Sequence, residues 1–178
     1  MKTLSKLIAA AFVATMLFLT TNANAQTTPA NALRFNIGLE VADPTGNARL
    51  GSHFILGGTA RFQYGLTNNL AVTLTSGAFH FLAIDKPGTN MKYDSYGVIP
   101  IKAGLKEFFL PHIYVGLEAG EGLEITDNGW GQKKLDISPA VGYGSKHWDV
   151  GVHYDSLTGE NNTYGVLGLR IAYGITSK

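Results

Sequence analysis

The sequence predicts an all-β fold, an eight-stranded antiparallel up-and-down transmembrane β-barrel with short turns at one end and longer loops at the other. Three observations predict it. Eight stretches alternate apolar with polar residues, and nearly every glycine inside them sits on the polar side. Beyond the N-terminal segment, no run is apolar enough to cross a membrane as a helix, which takes about 20 residues. A closed sheet with its apolar face turned outward belongs in a bilayer, where each backbone polar group must be paired within the structure.

The N-terminus has Lys2 and Lys6, an apolar run from Leu7 to Leu19, and then small and polar residues ending Ala23-Asn24-Ala25. That order predicts a secretory signal peptide over 1–25, cleaved after Ala25. Residues 26–32 are polar and expected as a flexible lead-in, with the barrel domain over 33–178. Loss of Lys2 and Lys6 takes the 14 basic residues to 12 against 13 acidic ones, so the mature chain is near neutral. With no basic cluster, nucleic acid is not an expected partner. The chain has no cysteine, which excludes a lipoprotein anchor, disulfides and thiolate metal sites.

The first strand sets Phe35, Ile37, Leu39 and Val41 against Asn36, Gly38 and Glu40. Such period-2 alternation marks a strand whose faces meet different media. The second sets Leu56, Ala60, Phe62 and Tyr64 against Thr59, Arg61 and Gln63. In the third, Leu70, Val72 and Leu74 oppose Ala71, Thr73 and Thr75, and the alternation lapses from Phe79 to Leu82. The fourth pairs Ile99, Ile101, Ala103 and Leu105 with Pro100, Lys102, Gly104 and Lys106. The fifth pairs Ile113, Val115, Leu117 and Ala119 with Tyr114, Gly116, Glu118 and Gly120. In the sixth, Leu135, Ile137, Val141 and Tyr143 oppose Asp136, Ser138, Gly142 and Gly144. The seventh reads Trp148, Val150, Val152 and Tyr154 against Asp149, Gly151, His153 and Asp155. The eighth reads Leu167, Leu169, Ile171, Tyr173 and Ile175 against Gly168, Arg170, Ala172 and Gly174.

Connections alternate too. Short turns are expected at 65–69, 108–111 and 144–147, and longer polar loops at 42–53, 83–95, 121–134 and 156–163. Short periplasmic turns with longer extracellular loops are the layout of outer-membrane barrels.

A secreted, lipocalin-like ligand-binding barrel would show the same alternation with its apolar face inside. Glycine separates the two readings. The interior of an eight-stranded barrel is just wide enough to be filled by side chains, so small residues are wanted there. Gly38, Gly104, Gly116, Gly120, Gly142, Gly151, Gly168 and Gly174 all share the polar face. Tyr64, Tyr143, Trp148, Tyr154 and Tyr173, at or near strand ends on the apolar face, fit interfacial girdles. So oriented, the lumen holds a polar network of Glu40, Arg61, Lys102, Glu118, Asp136, His153 and Arg170. Charges of mixed sign in that space must pair, which plugs the lumen; an open pore needs about 16 strands.

The stretch 97–175 resembles the small outer-membrane β-barrel family abundant in Bacteroidota, OmpX- and OmpA-like in architecture. The matching pieces include Val98-Ile99-Pro100-Ile101-Lys102-Ala103-Gly104-Leu105-Lys106, Tyr114-Val115-Gly116-Leu117-Glu118-Ala119-Gly120 and Val166-Leu167-Gly168-Leu169-Arg170-Ile171-Ala172-Tyr173. The resemblance implies the fold and the outer membrane of a Gram-negative bacterium, and no particular activity. The last strand is also similar to the assembly signal read by the barrel-insertion machinery, met by Gly168, Ile171 and Tyr173, although the chain runs on to Lys178.

His153, Asp155 and Ser156, with Glu118, invite comparison with a lipid A-modifying hydrolase. Parity opposes it, because His153 shares the interior face with Gly151 and that chemistry must face lipid. The other histidines, His53, His80, His112 and His147, lack metal-ligand spacing. Asp85, Asp94 and Asp127 read as solvated loop residues, and Asn161-Asn162-Thr163 as a polar loop. The expectation is therefore a monomeric, non-enzymatic barrel with no cofactor, metal or catalytic residue. Its partners would be outer-membrane lipid and lipopolysaccharide, the barrel-assembly machinery during biogenesis, and an extracellular partner at the loops.

Overall fold

A computed structural model describes residues 28–86, 88–126, 129–160 and 162–177. The expected signal peptide, Asp127 and Asn161 lie outside the described residues. Eight strands follow in chain order: β1 (Leu33–Gly46), β2 (Ser52–Gly65), β3 (Leu70–Ala83), β4 (Tyr96–Leu110), β5 (Ile113–Thr126), β6 (Gly129–Gly144), β7 (Trp148–Thr158) and β8 (Thr163–Ser177). Each pairs antiparallel with its sequence neighbours, and β1 closes on β8 from Leu33↔Ser177 to Gly46↔Tyr164. Closure leaves no sheet edge in the barrel wall, so the ladder satisfies its backbone polar groups internally.

The side chains divide as the alternation predicts. Ile37, Leu74, Val141 and Ile175 are exposed on the outside, while Glu40, Glu118 and Arg170 are buried within. On β8 apolar residues face outward from Leu167 to Ile175, a stretch matching the about 9–11 residues with which a tilted strand crosses hydrocarbon. Tyr64, Tyr143, Trp148, Tyr154 and Tyr173 also face out. The glycines lie where the lumen is crowded. A Cβ at Gly168 would enter the His153 ring, and one at Gly174 would meet the Arg34 and Asn36 side chains.

Two of the four segments expected as long loops, 42–53 and 121–134, are mostly strand, and 156–163 is half strand. β1 and β2 continue to Gly46 and from Ser52 around a 3-10 turn, Asn47–Leu50. β5 and β6 run to Thr126 and from Gly129, and β7 and β8 to Thr158 and from Thr163. Only the segment between β3 and β4 keeps a long irregular connection. The physical reason is an inversion of polarity. Toward this end the inward residues become apolar, as at Phe79, Phe81, Val98, Leu157 and Val166, while Asp43, His80, Glu121 and Thr163 face out. For the same reason the far end of β3, where the alternation seemed to lapse, is regular strand with Phe79 and Phe81 inside.

At the opposite end the lead-in residues from Thr28 onward hydrogen-bond to β2. Asn31 N–H donates to the Gly65 carbonyl (2.8 Å), Gly65 N–H donates to Ala32 (3.1 Å), and buried Thr28 Oγ1 donates to Gln63 Oε1 (3.4 Å). The two-residue turn into β5 places His112 at φ 70. That uncommon conformation is held by His112 Nδ1 at 2.9 Å from the Gly144 carbonyl, which ties this turn to the next.

Candidate functional site

The lumen is built from residues two apart on each strand. The seven residues expected there all point inward, and the structure brings them into two groups. In the first, Arg170 Nε donates to Thr59 Oγ1 (2.8 Å), Thr59 Oγ1 donates to Glu40 Oε1 (2.8 Å), and Arg170 itself lies 3.4 Å from Glu40. His153 bridges onward, with Nε2 3.0 Å from Glu40 Oε2 and Nδ1 3.2 Å from Asp155 Oδ1. Lys102 completes the chain, 2.8 Å from Asp155 and 3.4 Å from Asp136. In the second group Arg61 pairs with Glu118 (3.1 Å), whose other oxygen accepts bonds from Thr73 (2.6 Å) and Thr75 (2.8 Å).

Sequence reasoning left Asp149 out of the network. Asp149 is fully buried, forms an ion pair with Lys106, accepts a hydrogen bond from Tyr114 Oη (2.9 Å) and lies 3.5 Å from Arg170. Lys106 Nζ also sits 3.7 Å from the centroid of the Tyr114 ring, a cation–π arrangement. Arg34 donates to Asn36 Oδ1 and to the Ser145 carbonyl, both at 2.9 Å, at the short-turn end. Parity on β1, β4, β5 and β7 is the signal that would have found these residues, since each shares the face of its strand's glycines. Taking each such charge out of water costs several kcal/mol, offset here by partners that reach across the lumen. The lumen is correspondingly solid. Beside Arg61, Lys106 and Glu118 a cavity of about 10 Å³ remains, room for about one water.

Above the ionic layers, toward the long hairpins, the lumen turns apolar. Ile55, Phe79, Phe81, Val98, Leu157 and Val166 pack into one buried cluster. Phe81 stacks on Tyr96 with ring centroids 4.2 Å apart and meets Tyr164 edge-on at 5.9 Å. This septum was not expected from the sequence, which pointed to a polar interior throughout. Over it opens a vestibule of about 710 Å³, lined in part by Leu50, Tyr93, Asp94, Tyr96, Glu124 and Tyr164. Tyr164 Oη donates to Glu124 Oε1 (2.9 Å), and Lys134 Nζ lies 3.6 Å from the same oxygen.

Of the three assembly-signal residues, Gly168 lies inside against His153, while Ile171 and Tyr173 face outward. Tyr173 packs edge-on to Trp148 (5.4 Å) and stacks on His147 (5.5 Å). Ser156 does not join His153. It is half-buried, and the ring nitrogens of His153 face the carboxylates of Glu40 and Asp155.

No family model matches the chain, and no curated protein matches it. Solved structures do. The chain is similar to the crystal structure of Ail, the attachment invasion locus protein of Yersinia pestis, with a TM-score of 0.56 at 11% identity, covering 82% of this chain and 99% of that one. The backbone structure of Ail in a phospholipid bilayer nanodisc gives 0.56 at 11% identity, over 79% and 99%. Neisserial surface protein A gives 0.53 at 15% identity, over 83% and 98%. At these identities the likeness is one of fold: a small closed antiparallel barrel of the outer-membrane kind.

Proposed function

We propose that this protein is an outer-membrane β-barrel whose sealed lumen makes it a scaffold for hairpins displayed at the cell surface. The observation that supports this best is the orientation of the wall: an uncharged apolar belt faces outward around a core of paired ions. A secreted ligand-binding barrel would need the reverse. Export by the signal peptide over 1–25, insertion through the signal at Gly168, Ile171 and Tyr173, a monomeric state, contact with lipopolysaccharide, and kinship with the small barrels of Bacteroidota belong to the same reading.

Membrane fractionation with heat-modifiable gel mobility tests it. The folded protein should remain with the outer membrane and migrate faster unheated than boiled; release without detergent would refute the assignment. A substitution sharpens the test. Leu39 is 72% exposed on the outer face of β1, so Leu39→Arg should destabilise the barrel in lipid vesicles by about 2 kcal/mol. In a soluble barrel the same change would be nearly neutral, and urea titrations separate the outcomes.

A hydrolase finds no support in the site. His153 is buried between two carboxylates, and among the described residues no serine hydroxyl is bonded to it. His153→Ala should therefore lower the urea midpoint and leave the acyl-chain number of lipid A unchanged by mass spectrometry.

A further inference from the structure

The barrel wall is free of edges, but one hairpin rises above it. β7 pairs with β6 only from Leu135↔Thr158 downward, whereas β6 begins at Gly129. Over that overhang β6 is held on one side by β5, at Leu123↔Lys133, Ile125↔Trp130 and Thr126↔Gly129. Among the described residues no strand meets its other side. The cause is a mismatch of length: β6 has 16 residues, while β7 has 11 and turns back at Gly159, whose N–H donates to the Asn162 carbonyl. Lys134 Nζ donates to the same carbonyl (3.3 Å), which fixes that turn at the foot of the overhang. At about 3.4 Å per residue, the overhang presents roughly 20 Å of N–H and C=O groups without a strand partner. Such a row is a template for another strand, and its complement is an extended peptide that adds main-chain hydrogen bonds to the sheet. The side chains along it are open to contact. Residues 129–133 are exposed, Trp130 at 74%. A register shift between Leu123 and Ile125 puts Trp130 and Lys133 on one face, and the Lys133 ammonium meets only Glu121, at 3.9 Å in solvent. A second copy in the same membrane is a poor complement. Its two-fold axis would lie along the barrel axis, so both β6 edges would run parallel at matching heights and set Lys133 beside its own equivalent, a like-charge pair that destabilises strand pairing.

We propose that the free edge of β6, from Gly129 to Lys133, takes up an extended segment of another protein, with an apolar side chain against Trp130 and an acidic one beside Lys133. This rests on the surface-display reading for where the partner is met and adds what kind of partner it is. Fractionation tests location, while binding is measured on the purified barrel, so the two fail separately. The probe is a fluorescein-labelled octapeptide alternating valine with glutamate, titrated into the folded full-length protein in zwitterionic detergent and read by anisotropy against empty micelles. Saturable binding is expected, with slowed hydrogen exchange at the amides of 130–133 in the complex. The same peptide N-methylated at alternate amides should not bind, because it cannot complete the ladder, and a valine–lysine peptide should bind roughly fivefold more weakly. Trp130→Ser should weaken the glutamate peptide roughly fivefold. Leu50→Ser should leave it unchanged, since Leu50 is equally exposed but belongs to the β1–β2 turn. No saturation, an N-methylated or lysine peptide within about twofold of the probe, an unaltered Trp130→Ser, or unprotected amides would overturn the proposal. So would a dimer in detergent whose 130–133 amides are protected without peptide, which gives the edge to a second copy. Should Trp130→Ser fail to show heat-modifiable mobility, the exchange data and the N-methylated comparison on the parent protein decide.

Discussion

Asp149→Ala is expected to destabilise the folded barrel by about 3–5 kcal/mol, the cost of removing one member of a buried ion pair and leaving its partners uncompensated. Asp149 meets Lys106, Tyr114 and Arg170 at once, on three other strands. Its loss leaves the Lys106 ammonium buried with only the faces of Tyr114 and Phe108 to offset its charge. Arg170 keeps Glu40 and Thr59, so the damage should centre on Lys106. Combining Asp149→Leu with Lys106→Met should recover much of the loss, because an apolar pair of similar volume avoids both desolvation penalties. Equilibrium urea unfolding in lipid vesicles reads each step. A single substitution costing less than about 1 kcal/mol would mean that water reaches this layer.

Gly120→Ala is expected to be nearly as damaging, at about 3 kcal/mol, through a single added methyl group. Gly120 faces the lumen opposite Lys102, and a Cβ there would run into the Ile101 carbonyl and come within 2.8 Å of Lys102 Cα. Those are backbone atoms of the adjoining strand and cannot rotate away. Gly116 lies on the same face of the same strand, yet its Cβ would meet only ordinary contacts, 3.6 Å to the Leu105 carbonyl and 3.7 Å to Ala140 Cβ. Gly116→Ala should therefore be neutral or stabilise by about 0.5 kcal/mol, since alanine loses less chain entropy than glycine. Heat-modifiable mobility after refolding distinguishes the pair. Equal yields from both would show that glycine is present for reasons other than space.

Where the wall faces an apolar medium, the sequence was easy to read. Phe35 to Val41 on β1 and Leu167 to Ile175 on β8 alternate because outward residues must be apolar and inward ones small or polar. The charges in the middle of those runs, Glu40, Glu118 and Arg170, followed from the same parity. Asp149, Lys106 and Arg34 obey it too, but they stand near strand ends, where a charge is equally at home in water, and only the paired neighbours reveal them as buried. The septum was harder. Phe79, Phe81, Leu157 and Val166 belong to strand segments whose outward neighbours include His80, Ser156 and Thr163, so the polarity of the two faces exchanges partway along the strand. A pattern that reverses looks, along a single strand, like one that stops. The vestibule combines 3-10 turn, loop and strand residues from β1–β2, β3–β4, β5 and β8, and no local spacing announces such a convergence.

That reversal of faces divides the molecule into two storeys with separate foundations. On the outer-membrane reading proposed above, the lower one depends on solvation by fatty chains, while the upper one, with its own greasy heart of Phe79, Phe81 and Val166, stands in water as a small soluble protein does. Changes to the outward side chains of the upper storey can therefore accumulate without troubling the paired ions of the lower one.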